Sequence, residues 1–365
     1  MHRLHCSTAR EYDVLVSPGV LQADNPVLAQ TLAGRRALVI TDTVVHAQYG
    51  AALRTALRDC EIAVLDVDEQ RKDIDAVLLI CRLAQQLRLG RTDLLVAVGG
   101  GVICDLVAVA ASLIRRGVPY VCVPTTLVAD IDAAVGLKGG VNLDGVKNFL
   151  GCFSPPDAVV VDPTFLQTVP AVELSAGFAE VLKIALVRDA SLFALVQDVG
   201  PGLVRSRFTS RGGREVLDSA IGQMLDELAK NPYEDQGYER LLDFGHTFSP
   251  LLEQESGFTL RHGEAVALDM VLSGAIAVTL GILQRPDYDE LVAAVQSLGL
   301  PYRSELCTRA TIQAGLVSAA RHRGGRVNLV LPQKIGSATF VRAVQDVPGD
   351  VVAESLRLVR GLPGP

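Results

Sequence analysis

The sequence predicts an α/β N-terminal domain built on a parallel sheet, followed by a mainly α-helical C-terminal domain. Two observations carry this prediction: β-branched runs alternate with helical periodicity in the first half, and strand signals nearly vanish after about residue 170. Alternating strands and helices are typical of a parallel sheet with helices on its faces, because parallel strands need crossover connections. We place the boundary within residues 165–175 and assign residues 1–170 and 171–365 to the two domains.

The first half contains four short apolar or β-branched runs, which predict strands, separated by stretches that predict helices. The predicted strands are residues 37–41, 62–67, 93–98 and 120–123. The predicted helices between them are residues 49–60, 74–89 and 102–115. The second half predicts one strand, residues 327–331, and helices at residues 172–186, 191–199, 214–229, 247–255, 264–280, 288–298 and 311–320.

The composition is that of a globular chain with an acidic balance. Of its 365 residues, 49% are hydrophobic and 21% are charged, and the formal net charge is −7. This charge disfavours nucleic acid or an anionic membrane as a partner, whereas a small anionic substrate remains compatible with it.

The cysteines and the N-terminal segment predict a cytoplasmic protein. The seven cysteines are odd in number, contain no CxxC pair and lie partly in apolar runs, as buried free thiols do. The opening segment, MHRLHCSTAREYDVLV, contains no apolar stretch typical of a secretory signal. No apolar run elsewhere is long enough to cross a bilayer.

A glycine run at the end of the third predicted strand is a candidate phosphate site. Gly99, Gly100 and Gly101 precede a predicted helix, and Asp105 lies near the start of that helix. Glycines let the backbone approach a pyrophosphate, and a helix N-terminus offers unpaired N–H groups. The spacing is not that of GxGxxG, and a tight turn explains the run equally well.

Two later segments of the first half offer further polar groups. Thr125 and Thr126 follow the fourth predicted strand, where their hydroxyls suit a cofactor ribose or nicotinamide, or ordinary turn chemistry. Residues 130–153 are rich in glycine, and a solvated loop is one interpretation of them. The other is a site for a polyhydroxylated anion, formed by Asp132, Lys138, Lys147 and Asn148.

Glu180, His246 and His262 are the candidate metal ligands of the helical half. Glu180 lies on an apolar predicted helix, and the histidines lie in the glycine-containing segments DFGHT and RHGE. One carboxylate and two imidazoles, with positions left for substrate, are a frequent catalytic Zn²⁺ arrangement. Each residue alone is more often structural, so the prediction depends on the set.

Taken in order, these segments resemble the dehydroquinate synthase family within the wider sugar phosphate cyclases. The motifs span about residues 98–270 and read GGGVICD, PTTL, DIDAAVGLKGGVN, KNFLG, VDPTFLQTVP, GFAEVLK, DFGHTF and HGEAVALDM. The resemblance implies a Rossmann-like NAD-binding domain and a helical domain that binds metal and substrate. It also implies NAD and Zn²⁺ (or Co²⁺) as cofactors, a phosphorylated ketose as substrate, and a homodimer.

Carried over position by position, the resemblance assigns roles to individual residues. It makes Glu180, His246 and His262 the metal ligands. It places NAD on Asp42, Glu69, Lys72, Gly100, Gly101, Asp105, Thr125, Thr126, Asp132, Lys138, Lys147 and Thr168. It places the substrate on Asp132, Lys138, Lys147, Asn148 and Lys183, with Arg116 reaching a substrate phosphate across the dimer.

The sequence departs from dehydroquinate synthases at several substrate positions. The second histidine of GHTFGH is Pro250, whose side chain neither donates nor accepts a hydrogen bond. The family's arginine seven residues before His246 is Glu239, and the family's lysine further upstream is absent. The replacement pattern, including HTFSP and HRGG, resembles the sedoheptulose 7-phosphate cyclases. It implies sugar or phosphate contacts, and pocket positions, for His322, Arg323, Arg326, Asp243 and Asp269.

The resemblance therefore implies a redox-neutral lyase acting on sedoheptulose 7-phosphate, most similar to the enzymes that form 2-epi-5-epi-valiolone. Cyclases giving 2-epi-valiolone or desmethyl-4-deoxygadusol from the same sugar remain open, because sequence separates product stereoisomers poorly. A dehydroquinate synthase is disfavoured by Pro250, and a polyol dehydrogenase finds no support in KNFLG or HTFSP. A non-catalytic relative is disfavoured because Glu180, His246 and His262 are all present.

Overall fold

The structure is a computed structural model. It describes residues 11–235, 237 and 239–363. The chain forms two compact units. The first comprises residues up to 125 together with 133–163, and the second comprises 126–132 together with 164–365. Residues 126–132 thus belong with the second unit, a detail that the sequence pattern does not indicate.

The first unit is built on a parallel sheet. Its described strands are β1 (Asp13–Val16), β2 (Ala37–Asp42), β3 (Glu61–Leu65), β4 (Leu94–Gly99), β5 (Tyr120–Pro124), β6 (Lys138–Leu143), β7 (Val146–Phe153) and β8 (Ala158–Val161). Six of them pair in the order β1-β8-β5-β4-β2-β3, and every described pairing in this sheet is parallel. The central strands β4 and β5 are buried along their whole length, which explains their continuous apolar sequences.

Four described helices connect these strands. They are α1 (Val27–Leu32), α2 (Thr43–Ala56), α3 (Ile74–Gln86) and α4 (Gly101–Leu113). Asp42 and Asp73 cap α2 and α3, accepting hydrogen bonds from the backbone N–H groups of Val45 and Ala76. Because of its cap, α2 begins several residues before its predicted start at residue 49.

Strands β6 and β7 form an antiparallel hairpin within residues 130–153, for which the sequence left a solvated loop and an anion site as alternatives. The hairpin turns at Asp144 and Gly145, whose φ angles of 49° and 81° are both positive, as a two-residue type I′ turn requires. Gly139 lets the hairpin approach α4, because a Cβ at that residue would lie 2.8 Å from the Cβ of Ala108. The Asp-Gly pair was therefore an available hairpin signal within residues 130–153.

The second unit is mainly helical, as predicted. Its described helices are α5 (Ala171–Arg188), α6 (Ala190–Arg205), α7 (Gly213–Leu228), α8 (Ser249–Glu255), α9 (His262–Thr279), α10 (Arg285–Ser297), α11 (Arg309–His322) and α12 (Gly349–Arg360). A two-stranded antiparallel sheet, β9 (Leu329–Lys334) with β10 (Ser337–Val341), lies between α11 and α12 in the chain. Across the described part of the chain, no helix has the length and apolar character to cross a membrane.

Helices α5 and α9 form the core of the second unit. Both are buried over nearly their full length, as helices that are apolar on all sides must be. They approach each other at Gly263, where an added Cβ would lie only 1.8 Å from the carbonyl oxygen of Ala176. This close approach brings the first turn of α9 against the middle of α5, and both helices carry candidate metal ligands.

Candidate active site

Three side chains of the second unit converge as a candidate metal site. Glu180 lies on α5, His262 is the first residue of α9, and His246 follows the 3₁₀ turn Leu241–Asp243. One ligand atom from each residue can be chosen so that all three lie within 4.8 Å of one another. Glu180 Oε1 is 3.2 Å from His262 Nε2 and 3.7 Å from His246 Nε2.

Both imidazoles direct Nε2 toward Glu180 while Nδ1 is engaged elsewhere. Nδ1 of His262 lies 2.9 Å from Glu253 Oε1, and Nδ1 of His246 lies 3.2 Å from the carbonyl oxygen of Phe244. We assign the ring hydrogen to Nδ1 because each of these partners is an oxygen that accepts it. Each Nε2 then keeps the lone pair that a metal ligand needs.

Glu180 supplies the buried negative charge of this cluster. Neither of its oxygens has a well-formed hydrogen bond from any described residue, but Lys183 Nζ lies 2.5 Å from Oε2 as an ion pair. Burial raises the pKa of the Glu180 carboxyl, but the adjacent Lys183 ammonium is the largest influence in the opposite direction, and the net pKa lies well below its usual range. The site therefore offers a charged carboxylate and two imidazole nitrogens, a set that fits a divalent metal with nitrogen and oxygen ligands.

Lys183 is a buried ammonium group beside two carboxylates. Its Nζ lies 4.0 Å from Asp132 Oδ2, in addition to its contact with Glu180. Burial lowers the pKa of Lys183, whereas Glu180 and Asp132 raise it by more, so this lysine is charged. Burial, and then the Lys183 charge, lower the pKa of His246, which keeps its imidazole neutral as metal binding requires.

Arg323 and its neighbours occupy the end of α11. Arg323 is buried, donates to Asp243 Oδ2 at 3.0 Å, and donates to the carbonyl oxygen of Val327 at 2.7 Å. His322 and Arg326, which were predicted as sugar or phosphate contacts, are both exposed. The guanidinium of Arg323 thus fixes Asp243, three residues before His246, while His322 and Arg326 face solvent.

Asp269, predicted as a pocket residue, anchors the start of α8. Its Oδ2 accepts hydrogen bonds from the backbone N–H groups of Phe248 (2.5 Å) and Ser249 (2.9 Å), and its Oδ1 accepts one from the Ser273 hydroxyl. Pro250 follows in the first turn, where the absence of an N–H leaves nothing unsatisfied. Oδ2 of Asp269 therefore holds the chain shortly after His246, while Oδ1 is satisfied within α9.

Several residues predicted to bind NAD or substrate form a polar cluster in the first unit. Lys72, 3% exposed, pairs with Asp105 of α4 and donates to Asn148 Oδ1 at 2.8 Å. Asn142 completes the cluster, accepting from the Asn148 N–H at 2.9 Å and donating to the Glu69 carbonyl oxygen at 2.8 Å. These contacts tie the β6–β7 hairpin to the segment after β3.

The carboxyl ends of β2 and β4 provide a candidate dinucleotide site. The sheet extends to β3 on one side of β2 and to β4 on the other, and such a switch point is where ligands bind in open α/β sheets. Asp42 ends β2 there, and Gly100 is the N-cap of α4 without a side-chain cap bond from any described residue. The N–H groups at the start of α4 therefore fit phosphate oxygens.

The remaining predicted residues lie at or next to the ends of strands and 3₁₀ turns. Arg116 is exposed and has a φ of 68°, and the Thr168 hydroxyl donates to the carbonyl oxygen of Phe165 at 3.0 Å. The rest of this group consists of Thr125, Thr126, Lys138 and Lys147.

Glu253 and Asn142 are two polar residues that the sequence analysis did not single out. Glu253 lies on α8, between the two histidines in the chain, and its burial depends on how α8 packs, which no local sequence pattern indicates. Asn142 precedes the Asp144–Gly145 turn, so its importance would follow only from recognising the hairpin.

Two family models match the chain over most of its length. The model for the 3-dehydroquinate synthase N-terminal region matches residues 62–176, and the model for the C-terminal region matches residues 177–318. The chain belongs to the 3-dehydroquinate synthase family. The resemblance inferred from the motifs, and the fold class, are thus confirmed.

Individual relatives in this family match nearly the whole chain. A 2-epi-5-epi-valiolone synthase from Streptomyces glaucescens is 37% identical over 355 residues, covering 95% of this chain and 90% of the relative. A 3-dehydroquinate synthase from Nostoc punctiforme is 33% identical over 359 residues, covering 95% and 96%. The solved structure of 2-epi-5-epi-valiolone synthase from Streptomyces hygroscopicus subsp. jinggangensis 5008, with NAD⁺ and Zn²⁺ bound, has a TM-score of 0.93 at 38% identity, covering 98% of this chain and 99% of that one.

Proposed function

We propose that this protein is a sugar phosphate cyclase that converts sedoheptulose 7-phosphate into 2-epi-5-epi-valiolone with loss of phosphate. The observation that carries the proposal is the convergence of Glu180, His246 and His262 beside Lys183. Sequence similarity supports a valiolone-forming cyclase, because five relatives with that activity in their names are 37–40% identical to this chain. The 3-dehydroquinate synthase described above is less similar, at 33%.

The proposal includes NAD and a divalent metal, Zn²⁺ or Co²⁺, as cofactors. The edge formed by Asp42 and Gly100 supports NAD binding in the first unit, and Glu180, His246 and His262 support metal binding in the second. When bound, NAD supplies the removal and return of one hydride, so the reaction is redox neutral. When bound, the metal supplies Lewis-acid polarisation of a substrate oxygen.

The overall change balances without an external oxidant. The carbon–oxygen bond to phosphate breaks, phosphate leaves with the electron pair, and the neighbouring carbon loses a proton. This elimination leaves a carbon–carbon double bond next to the ring oxygen. The cyclic hemiketal then opens as its hydroxyl loses a proton, which gives a ketone and an enolate. The enolate carbon attacks the ketone carbon of the same molecule, and the ketone oxygen takes up a proton as the carbocycle closes. The carbocycle and phosphate together contain every atom of the substrate.

Lys183 and Asp132 are the chain's own charged groups beside the metal ligands. The Lys183 ammonium offsets the negative charge of the enolate and of the departing phosphate, and burial strengthens that effect. Asp132, whose Oδ2 lies 4.0 Å from Lys183 Nζ, orients the ammonium and retains an exposed surface of 35% for proton exchange with a substrate hydroxyl.

The positions at which this chain departs from dehydroquinate synthases favour a substrate that ends in uncharged sugar hydroxyls over one that ends in a carboxylate. Where dehydroquinate synthases have an arginine, this chain has Glu239, whose carboxylate accepts two hydrogen bonds from Arg342 at 2.7 and 3.2 Å. The exchange removes a guanidinium that would pair with a substrate carboxylate, and a carboxylate can accept hydrogen bonds from sugar hydroxyls. The exposed side chains of His322 and Arg326 supply phosphate contacts in this proposal.

The proposal also includes a homodimer in the cytoplasm, without a nucleic-acid or membrane partner. Arg116 is exposed, as an arginine that reaches a phosphate across a dimer must be before assembly. The six described cysteines are free thiols, which suits a reducing compartment.

The test is a turnover assay of the purified protein with NAD⁺, Zn²⁺ or Co²⁺, and sedoheptulose 7-phosphate. We expect phosphate release without net NADH, and a product that NMR identifies as 2-epi-5-epi-valiolone. The variant Glu180→Gln, which keeps the side-chain shape but removes the charge, is expected to lose activity. Net accumulation of NADH would instead indicate a polyol dehydrogenase, and a different stereoisomer would correct the product.

A further inference from the structure

The buried carboxylate of Glu253 holds His262 from the side opposite the candidate metal site. Glu253 Oε1 lies 2.9 Å from Nδ1 of His262, while Nε2 of the same ring lies 3.2 Å from Glu180 Oε1. Only 5% of the Glu253 side chain is exposed, compared with 31% for His262. The imidazole is thus held between a carboxylate behind it and the ligand cluster in front of it.

Helices α8 and α9 are joined by two carboxylate contacts that run in opposite directions. Glu253 of α8 binds the first residue of α9, and Asp269 of α9 binds the first turn of α8 through the N–H groups of Phe248 and Ser249. His246 lies two residues before that first turn. The same pair of helices therefore positions both histidines. His262 is held through its ring, and His246 through the backbone of the residues that follow it.

Burying a carboxylate is unfavourable unless a partner compensates, so Glu253 would be a poor choice if packing were its only purpose. An aliphatic residue at this position would satisfy the apolar neighbours of α8 without that desolvation cost. A carboxylate behind an imidazole does something an aliphatic residue cannot: it fixes the tautomer and makes Nε2 a stronger electron-pair donor.

We propose that Glu253 is a positioning residue for the metal ligand His262, which sets the affinity and the coordination geometry of the site. Glu253 acts through the Nδ1–H of His262 and touches neither metal nor substrate. This inference rests on the proposed function only in that the site binds a divalent metal.

The test compares Zn²⁺ affinity and the Co²⁺ absorption spectrum in four forms of the full-length protein: unchanged, Glu253→Ala, Glu253→Gln and Glu255→Gln. Zn²⁺ affinity is measured by competition with a chromophoric chelator. We expect E253A to bind Zn²⁺ about 10- to 100-fold more weakly and to shift the d–d bands of bound Co²⁺. E253Q keeps an acceptor but loses its charge, so we expect binding at least about threefold weaker.

The matched control is E255Q. Glu255 lies on the same helix and accepts a hydrogen bond from the Thr311 hydroxyl. The substitution therefore removes one negative charge from α8 at a residue that accepts from Thr311 instead of a histidine. We expect its Zn²⁺ affinity and Co²⁺ spectrum to equal those of the unchanged protein. If E253A does not fold, E253Q decides the question.

A purely structural role for Glu253 would lower the unfolding temperature of the metal-free variants but leave both metal measurements unchanged, and that result would overturn the proposal. Cyclisation by the unchanged protein is assayed separately from metal binding. If the unchanged protein binds Zn²⁺ tightly but does not turn over sedoheptulose 7-phosphate, the proposed function fails while the assignment of Glu253 is still decided by its variants.

Discussion

At the scale of single residues, the candidate site depends on opposing effects at Glu180. Burial disfavours the charged carboxylate, but the Lys183 ammonium favours it, and the net pKa of Glu180 is low. The same balance keeps Lys183 charged in a position that is 2% exposed. The charges of Glu180 and Lys183 therefore compensate each other, and removing either residue would destabilise the fold by leaving the other charge buried without its partner.

Replacing Lys183 by methionine tests this balance. In the metal-free protein we expect Lys183→Met to lower the free energy of unfolding by about 3–5 kcal/mol, because a buried carboxylate loses its partner. Saturating Zn²⁺ is expected to reduce that deficit, since the metal then supplies the missing positive charge. Urea unfolding followed by circular dichroism, with and without Zn²⁺, measures both values.

The control for this variant is Lys230→Met. Lys230 pairs with Glu227 at 3.1 Å, but its side chain is 62% exposed, so we expect a change of under about 1 kcal/mol. An equal deficit for K183M with and without Zn²⁺ would contradict the idea that metal and ammonium serve the same carboxylate.

At the scale of elements, the close approach of α5 and α9 positions two of the candidate metal ligands. Glu180 lies on α5 and His262 begins α9, and the two backbones touch at Gly263. The variant Gly263→Ala would place its Cβ 1.8 Å from the Ala176 carbonyl oxygen, so the helices must separate. We expect about 1–3 kcal/mol of destabilisation and a weaker Zn²⁺ site, measured by thermal unfolding and chelator competition.

Gly222→Ala is the matched control for that prediction. Gly222 lies within α7, and no described atom lies within 4 Å of the Cβ that alanine would add. Alanine is the better helix former there, so we expect a gain of about 0.5–1 kcal/mol and unchanged Zn²⁺ affinity. Tight Zn²⁺ binding by Gly263→Ala would show that the helix contact does not set the ligand geometry.

The β6–β7 hairpin is the second element whose position has consequences for binding. Asn142 links it to the segment after β3 through hydrogen bonds with Glu69, and it accepts a further one from Asn148 within the hairpin. We expect Asn142→Ala to weaken NAD⁺ binding about tenfold, because two or three hydrogen bonds of about 0.5–1.5 kcal/mol each are lost around Lys72. Titration calorimetry measures this effect.

Asp144→Asn serves as the control, because Asn-Gly forms the same type I′ turn and should leave NAD⁺ binding unchanged. If Asn142→Ala binds NAD⁺ as tightly as the unchanged protein, the cluster around Lys72 stabilises the hairpin and does not contribute to NAD⁺ binding.

At the scale of the whole molecule, the sequence predicted the alternating first unit and the helical second unit because both depend on local periodicity. It also indicated Glu180, His246 and His262 as candidate metal ligands, because they lie in recognisable motifs, and the structure brings these three side chains together. It did not predict the cluster around Lys72, whose partner Asn148 is 76 residues away, nor the contact between Glu253 and His262. Such contacts depend on how elements pack, which no local pattern records.

Metal removal tests whether phosphate release by the whole protein requires a bound divalent metal. Dialysis against a chelator is expected to abolish phosphate release from sedoheptulose 7-phosphate, and added Zn²⁺ or Co²⁺ should restore it. Mg²⁺ should not restore it, because two of the three ligands are imidazoles, which Mg²⁺ binds poorly. Full activity in the chelated protein would exclude the triad from the reaction.

The most direct test of the central claim is the ratio of kcat/KM for two phosphorylated substrates. One is sedoheptulose 7-phosphate, and the other is the seven-carbon keto-acid phosphate that dehydroquinate synthases cyclise. With Pro250 and Glu239 at the altered positions, we predict a preference of at least about 100-fold for the sugar, with phosphate release as the readout. A preference for the keto acid would show that the protein is a divergent dehydroquinate synthase and would contradict the account.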